Sequence, residues 1–172
     1  MKDSSTVPTP NIESFAKFRE LADGIRIAML TTVAPDGCLH SRPMATQEVG
    51  EDGLLWFFTA KESLKVFEVT RDHHVNIAYS NQGKEVFISV SGTAQLSTDQ
   101  AKIKELWSPF LKTWFPEGPT DPRVALLCVT VETIDYWEGA GTVVTLFKMA
   151  KSAITGQPSK VGEFGHIEPP KA

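Results

Sequence analysis

Val86-Phe87-Ile88-Ser89-Val90-Ser91-Gly92-Thr93-Ala94-Gln95-Leu96 decides the fold class of this 172-residue chain. Val86, Ile88, Val90, Ala94 and Leu96 fall on one side of an extended backbone; Phe87, Ser89, Ser91, Thr93 and Gln95 fall on the other. A period of two held over this whole stretch is a strand with one face in a core and the other toward a solvated site or an interface.

Strands dominate on its N-terminal side. Arg26 to Val33 is apolar and β-branched. Pro35-Asp36-Gly37 follows, and Asp-Gly is a strong hairpin signal, so Cys38 to Gln47 is expected to return as a strand. Glu51-Asp52-Gly53 makes a second turn before Leu54 to Thr59, LLWFFT, whose unbroken apolar run predicts a buried strand. Residues 62 to 71 read as a short helix with Leu64, Phe67 and Val66 inward, and His73 to Tyr79 as a strand. Ahead of these, Asn11 offers a helix cap, Phe15, Phe18, Leu21 and Ala22 recur at helical spacing, and Gly24 is a stop signal.

On the C-terminal side, Ser97-Thr98-Asp99-Gln100 has capping-box spacing. Ile103, Leu106, Trp107, Phe110, Leu111 and Trp114 then form an amphipathic stripe, which Pro109 should kink or split near Ser108. Val124 to Glu132, Thr133 to Trp137 and Thr142 to Met149 read as strands, with a turn at Gly139-Ala140-Gly141. Residues 1–10 read as a flexible lead and 151–172 as a mobile tail. With no βαβ alternation, a mainly β (α+β) split antiparallel barrel with flanking helices fits the order of elements.

Composition narrows the function. The chain is 41% hydrophobic and 22% charged, with a formal charge of −4. That predicts one globular domain with no general field for nucleic acid or an anionic membrane. No apolar run reaches transmembrane length, and the first ten residues lack the apolar core of a secretory signal. Cys38 and Cys128 stand far apart without CxxC spacing, so two reduced thiols in a cytoplasmic protein are expected, with no zinc site. No P-loop, GxSxG elbow or HExxH occurs, and the GxG at Gly139 and Gly141 lacks its third glycine. His73 and His74 are adjacent, so a strand would point them to opposite faces.

One constellation remains. Pro43 within His40-Ser41-Arg42-Pro43-Met44 cannot donate to a sheet ladder, which places this stretch at an edge or bulge with backbone groups free for a ligand. In Phe58-Thr59-Ala60-Lys61-Glu62-Ser63-Leu64-Lys65 a strand gives way to a helix, whose first N–H groups attract anions. Arg42, Ser63 and Lys65 would make a phosphate clamp if neighbouring strands bring them together. Alone, each cation is ordinary surface charge.

The same residues resemble the FMN-binding split β-barrel superfamily that includes pyridoxamine 5′-phosphate oxidase, and within it the general stress protein 26 branch. The likeness covers about residues 12–150, so 11–150 would be the flavin-binding domain. It is carried by Asp36-Gly37 with Ser41-Arg42-Pro43-Met44, by Phe57-Phe58-Thr59 with Ser63 and Lys65, by Ile88 to Ala94, and by Trp107, Trp114-Phe115-Pro116, Asp121-Pro122 and Tyr136-Trp137-Glu138-Gly139. The resemblance implies a homodimer with FMN, or FAD in its place, at the subunit interface. Arg42 and Lys65 would neutralise the phosphate and Ser63 would hydrogen-bond it. Pro43, Met44, Phe58 and Thr59 would line the ribityl chain and ring edge, and Trp137 and Trp114 would come from the other subunit. Leu64 stands in the cofactor turn where the oxidases carry an arginine, and Glu85 lies near their glutamine. Val143 to Phe147 is uncharged where the oxidases bind substrate phosphate. Oxidation of vitamin B6 is therefore not expected, since a buried phosphate needs a cationic partner. The resemblance leaves an oxidoreductase for an unidentified small substrate, a non-catalytic flavin carrier or sensor, and a barrel for deazaflavin or haem. His40 is a general acid or base candidate by proximity alone.

Overall fold

The computed structural model describes residues 12–50, 52–141 and 162–167. Helix α1 (Ile12–Ala22) leads into β1 (Ile27–Val33), β2 (Leu39–Val49) and β3 (Leu54–Ala60). Helix α2 (Leu64–Arg71), β4 (His74–Asn81) and β5 (Val86–Ser97) follow. Helix α3 (Gln100–Leu106), 3-10 helices at Pro109–Thr113 and Gly118–Thr120, β6 (Val124–Glu138) and β7 (Glu163–Ile167) complete the described chain. The strands are antiparallel in the order β3-β2-β1-β4-β5-β6, and β3 also pairs with β6, which closes the barrel. This is the split-barrel architecture expected from the strand pattern.

The two-residue period of β5 sets the inside and outside of the barrel. Val86, Ile88, Val90 and Ala94 are buried, while Phe87, Ser91 and Gln95 face out. Leu30, Leu55, Phe57, Ile77, Leu127 and Ile134 complete a fully buried interior. Helix α1 closes one end, with Phe18 edge-on to Tyr79 at 5.8 Å between ring centroids. The run LLWFFT has apolar residues on both faces because both are covered. Leu55 and Phe57 point into the barrel, whereas Trp56 and Phe58 pack against a second cluster of Ile103, Phe115, Val124 and Leu126. Pro109 divides the amphipathic stripe as expected: α3 ends at Leu106, and a 3-10 helix with Ser108 as its N-cap residue carries Pro109 in its first turn.

Several details differ from the sequence reading. Helix α2 buries Val66, Glu68 and Val69, leaving Leu64 60% and Phe67 53% exposed. The polar groups awaiting Glu68 at the barrel end set the rotation of this helix, outweighing the larger apolar side chains. The cap of α3 is Asp99, which accepts from the amides of Ala101 and Lys102; Ser97 is still paired in β5. The expected pair of strands around Glu132 is one strand with a register shift opposite Ser91 and Gly92. A Cβ at Gly92 would collide with the Thr130 carbonyl oxygen, so the close approach there needs glycine. Within the expected tail, Glu163–Ile167 is a strand paired with Ile134–Glu138, beyond the part of β6 that pairs with β3. The lead at 1–10 and the strand expected at 142–149 lie outside the described residues.

Candidate functional site

The barrel end opposite α1 is closed by polar groups. On β1 and β2 the inward phase brings Thr32 opposite His40 and Leu30 opposite Arg42. Helix α2 lays the fully buried Glu68 across them. One carboxylate oxygen of Glu68 accepts from Thr32 Oγ1 at 2.6 Å and from Arg42 Nη2 at 2.8 Å. The other lies 2.6 Å from His40 Nδ1. Arg42 Nη1 also donates to Thr32 Oγ1 at 2.6 Å. Burial would raise the pKa of Glu68. The three hydrogen bonds and the charge of Arg42 outweigh burial and bring it down to about 2.

The turn between β3 and α2 supplies the second half of the site. Thr59, buried near the end of β3, has its Oγ1 3.2 Å from Ser63 Oγ. Lys65 Nζ donates to the same Thr59 oxygen at 3.2 Å. Burial and the charge of Arg42 push the pKa of Lys65 below 10.5. The guanidinium of Arg42 is therefore within electrostatic reach of Lys65. Arg42 has Glu68 as counter-ion; among the described residues no carboxylate pairs with Lys65. Ser63 is the N-cap residue of α2 and makes no side-chain cap bond, so its hydroxyl is not committed to the helix. The first-turn amides at Leu64 and Lys65 are of the kind that lack intrahelical partners.

Strand pairing opens a gap between these halves. β2 pairs with β3 only from Thr46 to Val49, against Leu55 to Phe57. Pro43 pairs with Met29 of β1, while Phe58 to Ala60 pair with β6. The Arg42–Ala45 and Phe58–Ala60 segments thus part from each other, and the missing amide of Pro43 costs no ladder bond on that side. This is the edge that the Pro43 reading called for.

The remaining expected site residues are dispersed. Met44 turns its side chain into the core, so only its backbone can meet a ligand in the gap. Pro43 is exposed on the outer face, and the apolar Leu64 side chain points outward too. Phe58 is half-buried and edge-on to Trp107. Trp114 packs on Phe110, and Trp137 packs on Phe164; both tryptophans stay about half exposed. Glu68 and Thr32 escaped the sequence reading. The available signal was an acidic residue on the face of α2 that must meet the barrel, with an arginine on a neighbouring strand.

A separate cleft of about 610 Å³ lies between the end of α1, the start of β1 and the end of β2, lined by Arg19, Asp23, Arg26 and Gln47 among others. Its walls mix both charge signs, so it has no electrostatic bias toward one ligand. Among the described residues no group of His, Cys, Asp and Glu could hold a metal ion, and no helix is long and apolar enough to cross a membrane.

A closed antiparallel barrel whose second and third strands part beside a cationic turn defines the class of split β-barrels. The chain belongs to the pyridoxamine 5′-phosphate oxidase like family, whose sequence model matches residues 13–160. It is 33% identical to the protein bli-3 of Neurospora crassa over 153 residues, 83% of this chain and 73% of that protein. Among solved structures, the general stress FMN/FAD binding protein of Xanthomonas citri is 33% identical, with a TM-score of 0.64 over 74% of this chain and 90% of that one. A Jannaschia protein described as a general stress protein 26 is 26% identical, with a TM-score of 0.70 over 92% and 99% of the two chains.

Proposed function

We propose that this protein binds FMN, with the phosphate at the Arg42–Lys65 corner and the rest of the flavin along the β2–β3 gap, in a site shared by two copies. The observation that carries this reading is Lys65: a half-buried ammonium whose pKa burial, and then the charge of Arg42, hold below its ordinary value, with no carboxylate paired to it among the described residues. A cation held that way gains most from an anionic ligand. The Xanthomonas citri relative, described as FMN/FAD binding, supports the choice of flavin. A bound flavin would supply electron transfer. The chain's own part would be to grip the phosphate with Lys65, Arg42 and Ser63, to offer free backbone along Arg42–Ala45, and to exclude water with aromatic side chains.

A second copy is favoured by the outer sheet face. The outward residues of β1, β4 and β5, including Ile27, Met29, Ala78, Phe87 and Ser89, contain no Asp, Glu, Lys or Arg. Depletion of charge across several strands is characteristic of an interface core. In such a dimer the exposed Trp137 and Trp114 would reach the partner's flavin. Ala78→Glu, placed amid this face, is expected to shift the protein from dimer to monomer by light scattering and to abolish most FMN binding. A dimer that persists with full cofactor would rule this face out.

The direct test is the absorbance spectrum of the purified protein, identification of the released chromophore, and titration of the stripped protein with FMN and riboflavin. A yellow protein that prefers FMN at least tenfold is expected, on the scale of one charge-assisted contact. Preference for riboflavin, or a deazaflavin or haem spectrum, would overturn it. Reduction by NAD(P)H with turnover to an acceptor then separates an oxidoreductase from a carrier or sensor. Vitamin B6 oxidation is not proposed, because Val143 to Phe147, which lie outside the described residues, contain no cation.

A further inference from the structure

Phosphate binding at Lys65 leaves one feature of the same corner unexplained: a fully buried acid bonded to Arg42, where a positive site for an anion gains nothing from a negative charge. We propose that Glu68 is a positioning residue, which pins the Arg42 guanidinium so that its remaining N–H groups are already oriented when a phosphate arrives. This rests on the phosphate reading above.

The geometry is that of a brace. An arginine side chain has many rotamers, and fixing it on binding costs affinity. Here two of its nitrogens are already committed, Nη1 to Thr32 and Nη2 to Glu68. Five N–H donors are available to a guanidinium, so these two bonds leave Nε and a second hydrogen on each terminal nitrogen. Thr32 closes the triangle by donating to the same Glu68 oxygen. His40 braces the other carboxylate oxygen through Nδ1, which fixes the carboxylate plane and leaves its Nε2 as the uncommitted ring nitrogen. Among the described residues, Lys65 donates to the Thr59 hydroxyl alone. The two cations thus contribute differently to anion binding. Lys65 supplies uncompensated charge, and Arg42 supplies direction.

The test compares FMN with riboflavin in stripped wild-type protein, Glu68→Gln, Arg42→Met and the double variant. Glutamine keeps the size and loses the charge. Glu68→Gln should weaken FMN about tenfold, the scale of one charge-assisted hydrogen bond, and leave riboflavin unchanged. In the Arg42→Met background it should add nothing. Equal losses for both flavins, or an undiminished loss without Arg42, would make Glu68 merely structural; tighter FMN binding would make it a restraint. Each of these results overturns the proposal. A ligand-free readout keeps it separate from the phosphate reading. Nitrogen NMR of the guanidinium should show slow Arg42 rotation in wild type and fast rotation in Glu68→Gln. Fast rotation in wild type overturns the brace even if FMN is preferred, whereas slow rotation without FMN preference removes the phosphate reading alone. If Glu68→Gln does not fold, Thr32→Val removes the third corner of the triangle. It should cost FMN about threefold and riboflavin nothing; no selective loss would again overturn the proposal.

Discussion

Lys65→Met is expected to weaken FMN binding by about 10- to 150-fold while changing riboflavin binding little. That range corresponds to about 1.5–3 kcal/mol for a hydrogen bond to a charged group. Methionine retains the stem that packs at the corner and removes only the ammonium. Lys65 should be the more costly cation to lose, because the charge of Arg42 is already shared with Glu68. Arg42→Met also strands a buried carboxylate, so its effect has to be read from the FMN-to-riboflavin ratio. The pH dependence has a definite sign. Burial and Arg42 hold the pKa of free Lys65 below 10.5, and an anion would raise it. FMN preference should therefore be full while Lys65 is protonated and decline as pH rises, beginning below 10.5. Lys65→Met should flatten that decline. Isothermal titration across the alkaline range checks both, and equal losses for FMN and riboflavin would place the phosphate elsewhere.

How far the sequence reaches is clearest along α2. Alternation in β5 and the hairpin at Asp36-Gly37 reveal the barrel because each is a local signal with a fixed geometric meaning. The LLWFFT run also reads correctly as buried, although its two covered faces become apparent only once α3 is seen lying outside β3. The parting of β2 from β3 was legible for a similar reason: a proline in one strand and a strand–helix turn after the other each mark free backbone. Glu68 was not legible. Periodicity assigns helix faces by apolar content, which favours Leu64 and Phe67, but the structure turns them to solvent. Their exposure follows from a non-local fact, the register that sets Thr32, His40 and Arg42 on one inner rim. Strand β7 was hidden in the same way: nothing in Glu163–Ile167 marks it as paired until the free edge of β6 is in view. Tyr136 lies close over Gly165 there, with no room for a side chain.

Glu68→Ala is expected to be the most destabilising single change at the site. Removing one partner of a buried ion pair costs about 3–5 kcal/mol because the other charge is left uncompensated. Arg42 retains some solvent access, which favours the lower end, a fall in Tm of roughly 6–12 °C for a domain of this size. The pH dependence again has a definite sign. The folded pKa of Glu68, about 2, lies below its ordinary 4.5. Its contribution to stability is therefore fully present above about pH 4.5 and is lost as pH falls toward 2. The gap between wild type and Glu68→Ala should be constant at neutral pH and close in acid. A gap that persists undiminished near pH 2 would assign the loss to packing alone. Arg42→Met combined with Glu68→Leu should recover most of the stability, since apolar replacement of a whole buried pair is often neutral. Thr32 could then turn its hydroxyl to the His40 carbonyl oxygen, 3.5 Å away. That stable double variant should have lost its preference for FMN, because the fold can dispense with a polar plug at the barrel mouth and the anion site cannot.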